Sequence, residues 1–303
     1  MKTKTNKIKP IRTYNHGLGL LFIFTNWDLG LRGIYFIKTV LVHFFLNQFA
    51  RKFGFTQTPI AKVDNELDDK IPFTPKKIGT YLDFTAFWLR PLTMILFRLG
   101  PKRAKPIIRD FVKKITLTYK SAARVYKVCM STTKRPRYYK MFYFRMIHFF
   151  DPHYLCVPSL HISVVSLVWA FYRKLFAEST DFTEEEKKFY LEEIYDDAIK
   201  IAETVLYIKQ HSVNCIPAAL YMMSVLLHPY FTAEDGIQFL RDMFIKTDIP
   251  EHDQKELKDY MYFIYERFLL VGITGDNWIL PIKTWLKEYC VNSGQVNVAK
   301  KIK

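Results

Sequence analysis

The chain has little glycine, 11 residues in 303, and no stretch of alternating apolar and polar residues long enough to propose a sheet. Both absences point away from β architectures, which use glycine in turns and bulges and alternate along each strand. Its four cysteines, Cys129, Cys156, Cys215 and Cys290, have no paired spacing, which excludes a disulfide scaffold and reads as a reduced chain. There is no zinc-finger spacing and no aromatic RNA-binding signature, so no recognisable nucleic-acid module is present. No clean run of the roughly 20 apolar residues that a spanning helix needs occurs either. Internal repeats and low-complexity tracts are also missing.

What is there is helix after helix, with half the residues hydrophobic and 17% aromatic. The expected fold is all-α, a single helical domain over residues 1–303. Within it lie a basic arm (1–16), a polar linker loop (57–77) bearing Pro59, Pro72 and Pro75, a motif-bearing core (127–220) and a disordered basic tail (292–303). Thr183 with Glu186 reads as a capping box, after which Leu191, Ile194, Ala198, Ile201, Val205 and Ile208 recur at helical spacing. Thr232 with Asp235 repeats that logic before a helix reaching about Phe244, and Asp248-Ile249-Pro250 ends it. Further helices are expected from Asp253 to Arg267 and from Trp278 to Tyr289.

The net charge is +16, with 45 Lys and Arg against 29 Asp and Glu. Such an excess favours anionic partners: acidic lipid headgroups, phosphorylated substrates or nucleic acid. The missing nucleic-acid module argues against the last of these.

Two histidine segments carry the chemistry. In the first, Cys156-Val157-Pro158-Ser159-Leu160-His161, proline suits a helix start, and the free N–H groups of that start would bind an anion beside His161. In the second, Lys209-Gln210-His211-Ser212-Val213-Asn214-Cys215, a cation and an imidazole arrive together at the end of an amphipathic helix. If the two meet, one histidine attacks phosphorus and the other protonates the leaving oxygen. Two blander readings stand beside this one. Either histidine alone is an ordinary half-buried core residue, and Cys129, Cys156 and Cys215 with His153, His161 and His211 are a conceivable zinc set.

Pro158-Ser159-Leu160-His161, followed by Lys209-Gln210-His211, resembles the second and third motifs of the phosphatidic acid phosphatase type 2 superfamily of lipid phosphatases and phosphotransferases. Leu160, where most members carry glycine, is similar to the branch containing inositol-phosphoceramide synthases. Arg135-Pro136 resembles the first motif, although its lysine, Lys127, stands one residue too far ahead. The resemblance covers about Lys127 to Leu220. It implies a helical bundle, a phosphohistidine formed on His211, and His161 as general acid. It further implies that Lys127, Arg135 and Ser159 hold phosphate oxygens, with Lys209 supplying charge, and that neither metal nor cofactor is needed. Two positions depart from the pattern. Cys215 stands where the family places the aspartate that orients the nucleophile, and Val205 where it places an arginine. Asn214 is a partial substitute for that carboxylate, and Asp151 is a candidate from elsewhere in the chain; Glu203 is two helical turns too far back.

The membrane reading rests on short apolar stretches. Val157 to Tyr172 covers 16 residues and Val213 to Leu227 covers 15. Ile34 to Phe49, Tyr81 to Leu99 and Tyr260 to Ile273 carry charges in their middle. Tyr35, Thr39, His43 and Asn47 form one polar stripe on an otherwise apolar helix. Asn26 and Asp28 interrupt the apolar run after the basic arm and no small-residue cleavage site follows, so no cleaved signal peptide is expected. The expected location is the cytoplasmic membrane, through several short or tilted spans. The expected activity is metal-independent hydrolysis or transfer of a phosphate on a lipid phosphate ester. The alternative is an impaired relative that binds anionic lipid or a phosphorylated ligand without turnover.

Overall fold

Asn15 opens the first helix, α1 (His16–Thr25), by accepting the Gly17 N–H, and an extended Asn26 separates it from α2 (Trp27–Val40). The computed structural model describes residues 8–273, 275 and 277–302, so the first seven residues of the basic arm lie outside the described residues. α2 continues through a π-helical stretch, Leu41–Leu46, into α3 (Asn47–Lys52). Next come strand β1 (Ile60–Lys62), a 3-10 turn at Glu66–Lys70, and α4 (Ile78–Leu82). The long α5 (Phe84–Val128) is broken at Gly100, whose φ of +74° suits glycine, and Pro101 follows it. Strand β2 (Met130–Thr132) pairs in parallel with β1, Ile60 opposite Met130. The remaining helices are α6 (Phe142–Phe150), α7 (Leu160–Glu178), α8 (Glu184–Tyr207), α9 (Cys215–Leu226), α10 (Ala233–Asp242), α11 (Glu251–Ile273), α12 (Ile279–Asn292) and the short α13 (Val296–Ala299).

The fold is all-α apart from that three-residue parallel pair. Both expected capping boxes form: Thr183 and Thr232 accept N–H groups from Glu186 and Asp235, whose carboxylates return to the capping residues' own N–H groups. α7 occupies the centre, packed against α5, α8 and α9. A helix surrounded in this way is apolar on every side, and Val164, Val165, Leu167 and Val168 are all fully buried.

Among the described residues, two helical stretches are long and apolar enough to cross a bilayer, Trp27–Lys52 and Leu160–Glu178. They differ in burial. Of the apolar window in the second, 67% is buried within the protein, the mark of a core helix, against 17% in the first.

Two segments are more structured than their composition suggests. The 57–77 linker supplies β1 and the 3-10 turn, and its Lys70 pairs with both Asp253 and Glu256 on α11. The tail expected to be disordered is held in place. Gln295 hydrogen-bonds both the N–H and the C=O of Lys62, and Ala299 and Ile302 are buried.

Candidate active site

Each histidine segment is positioned by contacts distant in sequence. Ser131 in β2 fixes the first: its carbonyl accepts the Cys156 N–H at 3.2 Å and its hydroxyl accepts the Val157 N–H at 2.7 Å. Tyr126 adds a bond from its hydroxyl to the Pro158 carbonyl at 2.6 Å. Ser159 is then the N-cap of α7, with its hydroxyl facing the Ile162 N–H, which places His161 in the first turn.

The second segment leaves α8 through a left-handed residue. Lys209 has φ +54°, its N–H bonds to the Leu206 carbonyl, and the Gln210 N–H bonds to the Val205 carbonyl at 2.9 Å. This is the Schellman arrangement that glycine usually makes. Its hydrogen bonds turn the chain so that His211 points back into the core. Asp68, from the 3-10 turn, accepts the Val213 N–H at 2.9 Å and holds the far side of the segment.

The two histidines meet. Their ring centroids lie 5.6 Å apart with planes at 70°, and both line one small cavity with Phe44, Tyr81, Asp151, His153, Leu155, Cys156, Leu160 and Gln210. His211 Nε2 is 3.2 Å from Ser159 Oγ. His211 is 8% exposed, and its Nδ1 is buried without a hydrogen-bond partner. An aspartate would fill that role in the motif it resembles; here Cys215, fully buried, accepts the Ser212 N–H on its sulfur at 3.4 Å. His161 is sandwiched between Tyr81 and Phe84, with ring centroids at 4.7 and 4.5 Å. Burial favours the neutral form of both histidines. It lowers His161 to about 3, helped by His211, and lowers His211 to about 3, helped by His153. A neutral imidazole is the form that can act as a nucleophile.

Of the other candidates, Arg135 reaches the site. It donates to Gln210 Oε1 and to the Asp151 carbonyl, both at 3.1 Å, and stands 3.6 Å from the Asp151 carboxylate. Asp151 also lines the cavity, but its carboxylate accepts the His153 N–H and pairs with Arg135 and His153 rather than with His211. Lys209 donates to the carbonyls of Asp68 and Ile71, so its ammonium is engaged in holding the 3-10 turn. Asn214 is engaged as well, donating to the Val63 carbonyl at 3.1 Å and accepting from the Tyr260 hydroxyl at 2.7 Å. Glu203 accepts the Phe244 N–H. Lys127 is exposed near the end of α5, where its charge acts on His43, and it lines neither this cavity nor the wider one beside it.

That wider cavity, about 510 Å³, also touches His211 and is lined by Lys134, Arg135 and Lys209 together with Asp64, Glu66, Asp68 and Asp69. The histidine cavity itself is about 30 Å³, room for about one or two water molecules.

A buried trio, Asp151, His153 and Cys156, had no role in the phosphate motifs. Burial opposes charge on all three, and their mutual contacts outweigh it. Asp151 is held down to about 2 by His153 and Arg135, His153 is held up to about 9 by Cys156 and Asp151, and the Cys156 thiol is lowered by Cys215 and His153. His153 Nε2 lies 2.8 Å from Thr133 Oγ1 and 3.7 Å from Cys156 Sγ. These contacts favour the protonated form of His153, beside two histidines whose burial favours the neutral form. The sequence singled out Asp151 only as a candidate carboxylate for His211, and His153 and Cys156 only as members of a conceivable zinc set. Among the described residues, the one convergent group of metal-ligating side chains is His252, Asp253 and Glu256 on α11, not the cysteine–histidine set, and Lys70 already pairs with both acids.

The arrangement provides two neutral imidazoles, a helix start capped by a serine, the Arg135 guanidinium, and His153, whose contacts favour its protonated form. No family model, curated protein or solved structure matches the chain.

Proposed function

We propose that the protein hydrolyses or transfers a phosphate group on a lipid phosphate ester, without a metal, through a phosphohistidine on His211. The observation that carries this reading is the 5.6 Å approach of His161 to His211 at the serine-capped start of α7. The His211 nitrogen facing Ser159 attacks phosphorus, and the bond from phosphorus to the leaving oxygen breaks. His161, which takes up a proton as the anionic phosphate enters beside it, gives that proton to the oxygen. Water or an acceptor alcohol then attacks the phosphohistidine, the P–N bond breaks, and His161 recovers a proton from the attacking hydroxyl. Ser159, the N–H groups of the first turn of α7 and the Arg135 guanidinium hold the equatorial oxygens. The cavity must widen to admit a phosphate, since its present volume suits water.

One observation favours a second reading, binding without turnover. His211 Nδ1 has no side-chain partner, so no carboxylate stabilises the cation formed on phosphorylation. In a serine-protease triad, loss of the equivalent carboxylate costs about four orders of magnitude in rate.

The test is release of inorganic phosphate from phosphatidic acid in the presence of a chelator, together with trapping of an acid-labile phosphoenzyme. Both signals should vanish in His211→Ala, and release should vanish in His161→Ala. Release unchanged by either substitution rejects the catalytic assignment. Saturable binding of phosphatidic acid with no phosphoenzyme on any timescale favours the binding reading.

A further inference from the structure

The first helices leave an apolar surface uncovered. Trp27 and Phe55 are each 83% exposed, and between them Leu31, Ile34, Ile37 and Leu46 face outward. The Trp27–Lys52 stretch has a mean hydropathy of 1.5. α6 adds Phe142, Tyr143 and Phe149, the last 71% exposed. The two patches share one border. Gln48 on α3 accepts the Tyr154 N–H at 2.8 Å, just beyond the end of α6, and Phe44 lines the histidine cavity together with Asp151. Contiguous apolar surface of this kind marks a contact with another apolar phase.

Charge identifies that phase. Residues 16–56 carry four Lys and Arg against one acid, Asp28, which is already paired with Arg32 and Arg109. Residues 134–150 carry five against none. Exposed aromatic and aliphatic side chains mixed with a net excess of cations match an anionic lipid surface better than an apolar protein face. α2 is also tied along α5: Asp28 pairs with Arg109, and Lys120 donates to the Tyr35 hydroxyl at 3.0 Å. A crossing orientation would carry those α5 charges into hydrocarbon at a cost of several kcal/mol. A flat orientation leaves them in the headgroup layer.

We propose that α1–α3 and α6 form a docking surface for anionic bilayers, lying in the interface rather than crossing it, with the histidine cavity opening toward the lipid at Phe44. The placing of the cavity mouth rests on the phosphate-ester reading; the docking does not. Phe44 lies in the π-helical stretch, an irregularity that occurs often at functional sites. It is the side chain that lipid contact would displace to enlarge the cavity.

Flotation of the full chain with phosphatidylcholine vesicles, with and without phosphatidylserine, tests this. Binding should strengthen about tenfold or more when phosphatidylserine is present. The emission of Trp27 should shift to the blue, and Trp27→Phe should remove the shift. The double variant Ile34→Gln/Phe149→Gln, with unchanged far-ultraviolet circular dichroism, should lose about tenfold or more in vesicle affinity. Hydrolysis of a water-soluble aryl phosphate by that variant should be unchanged, and His211→Ala should float like the wild type, which separates failure of docking from failure of the catalytic reading. Several results overturn the proposal: a wild-type chain that stays unbound, a double variant that floats normally, or vesicle-bound protein that resists alkaline carbonate. A lipid-free dimer broken by these substitutions does so too, since the face would then be covered by a second copy.

Discussion

The ring of His161 meets the ring of His211 edge to face, their centroids 5.6 Å apart, and His211 Nε2 is 3.2 Å from Ser159 Oγ. The opposite nitrogen, Nδ1, has no partner. One side of the nucleophile is therefore organised and the other is not, which sets the expected effect of restoring a carboxylate.

Cys215→Asp would place that carboxylate one turn beyond His211. If the missing acid limits the chemical step, single-turnover phosphorylation should rise about tenfold or more, a modest part of the roughly four orders of magnitude that such a group supplies in a triad. The new acid is buried, so thermal stability should fall, by about 1–3 kcal/mol if its hydrogen bonds are incomplete. Rapid-quench trapping of phosphoenzyme measures the first effect and urea unfolding the second. A destabilised variant with no gain in phosphorylation rate would show that the orphaned nitrogen is not what limits the site.

The dependence of stability on pH follows from the same two rings. An unfolded histidine titrates near 6.5, whereas burial lowers His161 and His211 to about 3 in the folded protein. Between those values the unfolded chain binds more protons, so stability falls as pH falls, by about 1.4 kcal/mol per pH unit for each ring. His153 acts in the opposite sense. Raised to about 9, it contributes stability that is complete below 6.5 and lost as pH rises through its folded value. Urea midpoints at pH 7 and pH 5 should separate clearly in the wild type and much less in His161→Gln/His211→Gln. Equal slopes in the two proteins would mean that the rings are hydrated and titrate normally.

Asp151 faces Arg135 and His153, both cationic, inside the protein. Asp151→Asn removes the carboxylate that pairs with both and leaves Arg135 without its ion pair, a change that costs about 3–5 kcal/mol for a fully buried pair and less here, where Asp151 is part-exposed. His153 should then titrate lower, since burial opposes its charge and only Cys156 still supports it. Nuclear magnetic resonance of the His153 ring protons would follow the titration, and a ring still protonated at pH 8 would show that the Cys156 thiolate alone holds the proton.

Local signals in the chain announce much of this structure. Thr183 and Thr232 cap helices at the positions their sequences indicate, because capping depends on neighbours three residues away, whereas the helix expected to start with Pro158 begins two residues later, at Leu160, with Ser159 as its cap. The meeting of His161 with His211 was legible only through the order of two motifs, and the structure adds what no local pattern contains. Asp151, His153 and Cys156 converge because Ser131 and Gln48, distant in sequence, hold the irregular segment that carries them. Lys209 looked like a phosphate ligand from its place beside His211, yet its left-handed backbone turns the ammonium toward the 3-10 carbonyls. The basic tail looked disordered from its composition, but one side chain, Gln295, pairs with the edge of β1. Lys127 seemed close enough to Arg135 in sequence to share its task, and the end of α5 separates them.

Lys209 combines an unfavourable backbone with favourable side-chain bonds, and two substitutions separate the contributions. A non-glycine residue at φ +54° costs about 1 kcal/mol, which glycine avoids. The ammonium makes two hydrogen bonds to the Asp68 and Ile71 carbonyls, worth about 1.5–3 kcal/mol each when the group is desolvated and less here, where it is half-buried. Lys209→Ala loses the bonds and keeps the strain; Lys209→Gly loses the bonds and relieves it. Both should be less stable than the wild type, with glycine above alanine by about 1 kcal/mol in urea unfolding. The 3-10 turn carries Asp68, which holds Val213 beside His211, so both variants should also loosen the histidine pair and slow phosphoenzyme formation. Alanine equal to glycine in stability would mean that the segment abandons its left-handed turn once the lysine is gone.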